Sequence, residues 1–283
     1  MSTPVYGATS AQPQQSHGYP TMKITLSTLH KMKQESRKIA MLTCYDATFA
    51  TVEAAAGVDI LLIGDSLGNV IEGYSSTLPV SMDDMLYHTR CVARGAGSAL
   101  VLADMPFGSS QVSPEKTFEN AARLMAAGAE MVKIEGGEEM AQTVRFLTQR
   151  GIPVCAHIGL QPQSVNVYGG YKIQGKTEDS ARRLIQEAQT LEQAGASLVL
   201  MELVPAAVAK QVTAAIQVPT IGIGAGPDVD GQVLVLHDML GLVPGKKRFL
   251  RNFMEGSPSI QAAIEAYVLA VKSGEFPTME HAY

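Results

Sequence analysis

Tryptophan is missing from this chain, and aromatic residues make up only 6% of it. Methionine is frequent instead, at 14 residues, which bears on packing and not on chemistry. Cysteine is scarce: Cys44, Cys91 and Cys155 are odd in number and share no CxxC spacing. They read as reduced thiols in a cytosolic protein. Positive charge is not in excess, with 22 basic against 27 acidic residues and a net charge of −5, so nothing points to nucleic acid or an anionic membrane. No run is both long and apolar enough to span a bilayer. The N-terminus lacks the basic-then-apolar pattern of a signal peptide. These absences lead to the expectation of a cytoplasmic protein that handles small molecules, with no nucleic-acid or membrane partner.

What the chain does have is ample core material. Hydrophobic residues are 46% and charged residues 17% of 283, enough for one large α/β domain or two ordinary ones. Residues 1–21, rich in Pro, Gln, Ser and Gly, form a polar tail expected to be disordered. Residues 26–36 suit a short amphipathic helix capped by Ser27. One phrase then recurs. Ala56-Gly57-Val58-Asp59-Ile60-Leu61-Leu62-Ile63-Gly64-Asp65 reads as helix end, glycine, strand, acid. Residues 127–135 and 194–202 repeat it, with glycines 71 and 67 residues apart (128 − 57 and 195 − 128). Each interval holds two βα units of roughly 35 residues.

Eight strands are predicted, near residues 39, 59, 99, 130, 154, 198, 219 and 233, the last running through Val233-Leu234-Val235-Leu236 to His237-Asp238. Helices are predicted over 47–56, 81–95, 114–127, 138–149, 179–194 and 205–216. The seventh connection, 225–232, is too short for an ordinary helix. Residues 246–283 read as helices packed outside. The pattern predicts a (β/α)8 TIM barrel with extra N- and C-terminal helices, a single domain over 22–283. A doubly wound open sheet is the alternative. The longest loops, about 66–80 and 159–178, both follow strand ends, where binding loops and lids occur.

The chemistry-bearing residues stand at those strand ends. In Met131-Val132-Lys133-Ile134-Glu135-Gly136-Gly137, Val132 and Ile134 face one side of the strand, Lys133 and Glu135 the other. Parallel strands are buried on both faces, so two charges at the carboxyl end need a reason. Asp65, Asp104, His157 and Glu202 end four other apolar strands. Singly, each has an ordinary explanation: Asp65 or Ser66 as a helix cap, His157 as a hydrogen-bonded core histidine, Lys133 and Glu135 as an ion pair. On one barrel mouth, four carboxylates would face one lysine. Like charges 4 Å apart repel by ~4 kcal/mol at an effective dielectric of 20. A hard cation, Mg²⁺ before Zn²⁺, would relieve that repulsion, and a carboxylate or histidine beside it could serve as general base. Other signals are weaker. Gly222-Ile223-Gly224-Ala225-Gly226 could cradle a phosphate but equally suits close packing. Ser66 lacks a GxSxG elbow. Lys246, Lys247, Arg248 and Arg251 read as a solvated helix face, with contact to an acidic substrate tail as the minority reading.

Taken together, these residues resemble the ketopantoate hydroxymethyltransferase family from about residue 22 onward. The resemblance is carried by Thr43-Cys44-Tyr45-Asp46, Gly64-Asp65-Ser66-Leu67-Gly68, Ser76-Thr77-Leu78-Pro79-Val80 and Leu102-Ala103-Asp104-Met105-Pro106-Phe107. It continues through Val132-Lys133-Ile134-Glu135-Gly136-Gly137, His157-Ile158-Gly159-Leu160, Pro162-Gln163-Ser164-Val165-Asn166, Gly169-Gly170-Tyr171-Lys172 and Ile221 to Gly226. Departures fall at Ser75, Gln161 and around Lys246–Phe249, away from the strand-end acids.

The resemblance implies a (β/α)8 barrel assembled as a homo-oligomer, often a decamer. It implies transfer of a hydroxymethyl group from 5,10-methylenetetrahydrofolate to 3-methyl-2-oxobutanoate, giving 2-dehydropantoate on the route to pantothenate. It further implies that Asp65 and Asp104 hold Mg²⁺ with Glu135 as a further metal-site carboxylate. Asp65, Ser66, Asp104 and Lys133 would contact the keto acid, and Glu202 would accept the proton. Beside what the resemblance implies, His157 is a candidate auxiliary, to orient the substrate or to shuttle a proton. Two rivals stand beside this reading. One is a phosphoenolpyruvate-mutase-like C–C lyase, a class that generally carries a reactive cysteine in a mobile loop. The other is a non-catalytic ligand-binding barrel.

Overall fold

The computed structural model describes residues 22–245 and 247–283. The tail expectation for 1–21, and Lys246 of the basic cluster, lie outside the described residues. Eight parallel strands close into a barrel in sequence order. They are β1 (Ile39–Thr43), β2 (Ile60–Ile63), β3 (Leu100–Asp104), β4 (Met131–Glu135), β5 (Val154–Gly159), β6 (Leu198–Glu202), β7 (Thr220–Ile223) and β8 (Gly231–Leu234). β8 pairs back onto β1, Met41 against Val233. The open-sheet alternative is thereby excluded. The first five strands are buried throughout, as near-continuous apolar runs require when both faces are covered.

Helices alternate with the strands: α1 (Leu26–Gln34), α2 (Ala47–Ala55), α3 (Leu67–Val70), α4 (Met82–Gly95), α5 (Pro114–Ala127) and α6 (Ala141–Thr148). Then come α7 (Val165–Tyr168), α8 (Glu178–Gln193), α9 (Ala206–Ala215), α10 (Leu236–Met239) and α11 (Ile260–Ser273). Their starts follow local chemistry. Ser81 and Asp84 cap α4 reciprocally, and Thr177 and Ser180 do the same for α8. Ser113 caps α5 with Pro114 in its first turn. The recurring glycine ends each preceding helix with a positive φ: 87° at Gly57, 114° at Gly128 and 103° at Gly195.

Four expectations need correction. α1 is capped by Thr25, whose hydroxyl accepts from the Thr28 amide, so Ser27 lies inside the helix. β8 starts at Gly231 and ends at Leu234, and His237 and Asp238 belong to α10 rather than to a strand end. Among the described residues 247–283 there is one α-helix, α11, and a short 3₁₀ turn (Met279–His281), fewer helices than expected. Residues 247–251 are not helical, so the basic cluster is not a helix face.

The two ends of the barrel are built differently. At the amino-terminal end, Lys33 of α1 reaches Asp230 Oδ2 at 3.0 Å and the Val218 carbonyl at 2.9 Å. On the outside, α11 covers the β1–β8 seam. The buried Tyr267 hydroxyl lies 2.7 Å from the Met41 carbonyl and 3.0 Å from that of Gln232, one on each strand. The carboxyl-terminal end carries the long loops and the polar strand ends.

Candidate active site

Register pairs the polar strand ends across neighbouring strands. Asp104 of β3 pairs with Lys133 of β4, Glu135 with His157 of β5, and Gly159 with Glu202 of β6. Asp65 and Ser66 follow β2 directly. All seven side chains line one cavity of about 740 Å³ at the carboxyl end of the barrel. Asp65, Asp104, Lys133, Glu135 and His157 are each at least nine-tenths buried. Glu202 keeps 19% of its side chain exposed, so of this set it is the acid that a molecule entering the cavity reaches most readily.

Lys133 is the hub. Its Nζ lies 2.9 Å from His157 Nδ1, 3.4 Å from Asp104 Oδ1 and 3.6 Å from Glu135 Oε1. Burial opposes its charge, but Asp104, Glu135 and Asp65 outweigh burial and raise its pKa. Burial, reinforced by the Lys133 charge, holds His157 well below the ordinary histidine value. A charged lysine therefore donates to a neutral Nδ1, which leaves the histidine proton on Nε2. That nitrogen lies 3.5 Å from Glu202 Oε2.

Burial also pushes the acids up, against the attraction of Lys133: Asp104 to about 7, Glu202 to about 7, and Glu135 well above the usual carboxylate range. Three of the carboxylates have one oxygen engaged. Asp104 Oδ2 accepts from the Asp65 amide at 2.9 Å, Asp65 Oδ2 from Gln163 Nε2 at 2.9 Å, and Glu135 Oε2 from the Gln163 amide at 3.0 Å. The remaining Asp104 Oδ1 and Glu135 Oε1 are buried with no hydrogen-bond partner.

Those orphaned oxygens bear on the metal question. Among the described residues, no group of three or more His, Cys, Asp or Glu side chains forms a ready-made cage for an ion. Mg²⁺ does not need one, since it binds through one or two carboxylates and keeps water or substrate oxygens in its remaining positions. Buried carboxylate oxygens that face the cavity with no hydrogen bond, and with only the Lys133 ammonium beside them at 3.4 and 3.6 Å, fit such an ion.

Ser66 occupies the cap position of α3 but makes no side-chain cap bond, so neither it nor Asp65 caps that helix. Its hydroxyl instead lies 2.9 Å from the Tyr45 hydroxyl. The glycine segment is a packing feature. A Cβ on Gly224 would come within 2.7 Å of Leu203 and one on Gly226 within 2.5 Å of Ala206. Lys247 pairs with Asp238 at 2.5 Å and, with Phe249 and Tyr283, borders the cavity. Cys44 follows β1 immediately, Cys91 lies in α4 and Cys155 in β5, so none is on a long loop after a strand. Sequence reasoning did not single out Gln163 as a site residue. Its only signal was its place in a motif just past a strand end.

A family model described as ketopantoate hydroxymethyltransferase matches residues 23–279. A 3-methyl-2-oxobutanoate hydroxymethyltransferase of Nitrosospira multiformis is 64% identical over 263 residues, covering 93% of this chain and 100% of that protein. One from Chromobacterium violaceum is 63% identical over 263 residues, with the same coverage. Among solved structures, phosphonopyruvate hydrolase in complex with oxalate and Mg²⁺ aligns with a TM-score of 0.58 at 16% identity, over 76% of this chain and 81% of that one. A 2,3-dimethylmalate lyase of the PEP mutase/isocitrate lyase superfamily aligns at 0.55 and 16% identity, over 84% and 93%. At that identity the structural likeness is one of fold alone. The sequence matches go further: this chain belongs to the ketopantoate hydroxymethyltransferase family.

Proposed function

We propose that the protein transfers a hydroxymethyl group from 5,10-methylenetetrahydrofolate to 3-methyl-2-oxobutanoate, giving 2-dehydropantoate and tetrahydrofolate. This is the first step of the pantoate branch of pantothenate biosynthesis. The observation that carries the reading is the meeting of Asp65, Asp104, Lys133, Glu135, His157 and Glu202 on one cavity in a chain of this family.

In this reading Asp65 and Asp104 would hold Mg²⁺, with Glu135 as a further carboxylate. When bound, the ion supplies Lewis-acid polarisation of the keto acid's oxygens and so acidifies the neighbouring C–H. Lys133 offers its charge to the substrate carboxylate. Ser66, fixed by Tyr45, and Asp65 and Asp104 complete the contacts to the keto acid. Glu202, raised by burial and open to the cavity, takes the proton from C3. His157, with Nε2 3.5 Å from Glu202 Oε2, is the group placed to orient that carboxylate. The C3 carbon then bonds to the folate methylene as its two bonds to nitrogen break in turn; water supplies the hydroxyl group, and the two nitrogens take up the proton removed from C3 and the second hydrogen of that water.

The reading extends to a homo-oligomeric enzyme of the cytoplasm acting on small molecules. Among the described residues no helix is long and apolar enough to cross a membrane. The test is direct. Purified protein is given both substrates with Mg²⁺ or with EDTA, and 2-dehydropantoate is followed by mass spectrometry. No product with Mg²⁺ present sinks the assignment, and equal product in EDTA sinks the metal.

A further inference from the structure

Gln163 lies on the short 3₁₀ turn Pro162–Ser164 after β5, outside every strand, yet only 6% of it is exposed. It touches two of the site's carboxylates by different parts of itself. Its backbone N–H donates to Glu135 Oε2 at 3.0 Å, and its side-chain Nε2 donates to Asp65 Oδ2 at 2.9 Å. Nε2 also donates to the Met105 carbonyl at 2.9 Å, which ties the turn to the loop after β3.

The orientation of this amide is forced. Its NH₂ faces a carboxylate and a carbonyl, two groups that only accept, so the flipped amide would set oxygen against both. Its Oε1 accepts from Gln111 Nε2 at 3.1 Å. Gln111 is itself fixed, because its Oε1 accepts from the amides of Gly108 at 2.8 Å and Ser110 at 3.2 Å. A relay therefore runs from the backbone of the β3–α5 loop through two amide side chains to Asp65.

A neutral donor suits this place. A lysine or arginine here would hold Asp65 equally well but would also cancel its charge. An amide occupies one oxygen and leaves the negative charge for another partner. We propose that Gln163 is a positioning residue of the site, holding Asp65 and Glu135 by one oxygen each so that their other oxygens are presented to a divalent cation. The inference rests on the reading that these carboxylates hold such a cation.

The experiment titrates Mn²⁺ alone, and then Mn²⁺ with 3-methyl-2-oxobutanoate, into the whole protein, with bound ion followed by electron paramagnetic resonance. Gln163→Met keeps the backbone bond to Glu135 and removes the side-chain bonds to Asp65, to the Met105 carbonyl and from Gln111. Gln111→Met, at an exposed position, cuts the relay one residue earlier. Wild type should bind Mn²⁺. Gln163→Met should bind it roughly 10–100-fold more weakly, as loss of a residue behind a metal ligand does, and Gln111→Met should shift in the same direction by less. At saturating Mn²⁺ the turnover of both should recover, which a residue needed only for folding would not show. If both variants bind Mn²⁺ as tightly as wild type while Asp104→Ala loses it, the proposal falls and the metal reading stands. If wild type binds no Mn²⁺ with or without the keto acid, the metal reading falls and takes the proposal with it. Should Gln163→Met fail to fold, unchanged affinity in Gln111→Met overturns the proposal.

Discussion

Nζ of Lys133 stands 2.9 Å from Nδ1 of His157, nearer than it stands to either carboxylate. Two groups that can both be cationic share that contact because only one of them is charged. The acids around Lys133 raise its pKa, while burial and the lysine itself depress that of His157. One cation thus sets the proton positions of two neighbours, the imidazole directly and Glu202 at a distance.

Lys133→Met should therefore change a pH profile as well as a rate. Lys133 lowers the pKa of Glu202 against the larger upward push of burial, so its loss raises that pKa further. The acid limb of C3 proton exchange should move to higher pH, and the plateau should fall about 100-fold or more as a charge on the substrate carboxylate is lost. Deuterium exchange into 3-methyl-2-oxobutanoate, followed by NMR across pH, measures both. A lower plateau with an unmoved limb would mean that Lys133 does not tune Glu202.

Glu202→Gln should bind the keto acid nearly normally and fail to enolise it. Glutamine keeps the shape and cannot accept the proton. Loss of a general base costs about 10²–10⁴-fold, and the same exchange assay without folate reads it. A variant that exchanges at the wild-type rate would move the base to His157.

Asp104→Asn tests the charge of the site through stability. Burial lifts the folded-state pKa of Asp104 to about 7, whereas the unfolded chain titrates near 4. Between those values the folded state holds a proton that the unfolded state has shed. Rising pH therefore favours unfolding through this group, and its contribution falls progressively from about pH 4 to pH 7. Without metal, the asparagine variant should gain stability relative to wild type over that window and level off above it. Added Mg²⁺ should then stabilise wild type and leave the variant unchanged. Urea midpoints in EDTA and in Mg²⁺ decide; a difference that stays flat with pH would contradict the buried, protonated carboxyl.

Tyr267→Phe probes the seam rather than the site. The hydroxyl bonds to strand carbonyls on β1 and β8, and its loss should cost about 1 kcal/mol in urea unfolding. Turnover should persist, since Tyr267 packs on the outer side of the barrel wall and does not line the cavity. Lost activity at full stability would point to a path from the seam to the cavity.

Much of this was readable in the chain because parallel barrels repeat. The glycine-strand-acid phrase marked three strands, and Gly57, Gly128 and Gly195 all adopt the positive φ that the phrase implies. The strand-end acids were visible because charge after a buried strand is conspicuous. The misses have local causes. Val233-Leu234-Val235-Leu236 is apolar without a break, and periodicity alone cannot separate the end of β8 from the start of buried α10. Either Thr25 or Ser27 could cap a helix, and only the backbone at Thr25, extended at φ −127° and ψ 170°, decides. Gln163 carries no charge and belongs to no hydrophobic pattern. Its place beside Asp65 and Glu135 exists only once the loop after β5 folds back over the barrel mouth.

The missing helix between β7 and β8 leaves that side of the barrel to be covered by distant chain. The Tyr283 carbonyl accepts from the Ala206 amide at 2.9 Å, and the same residue borders the cavity beside Phe249 and Lys247. Tyr267, which bridges the seam, also comes after β8. During translation, then, a growing chain can have all eight strands outside the ribosome and still lack both the clamp across β1 and β8 and much of the cavity wall. Competence to bind depends on chain made after the barrel staves themselves.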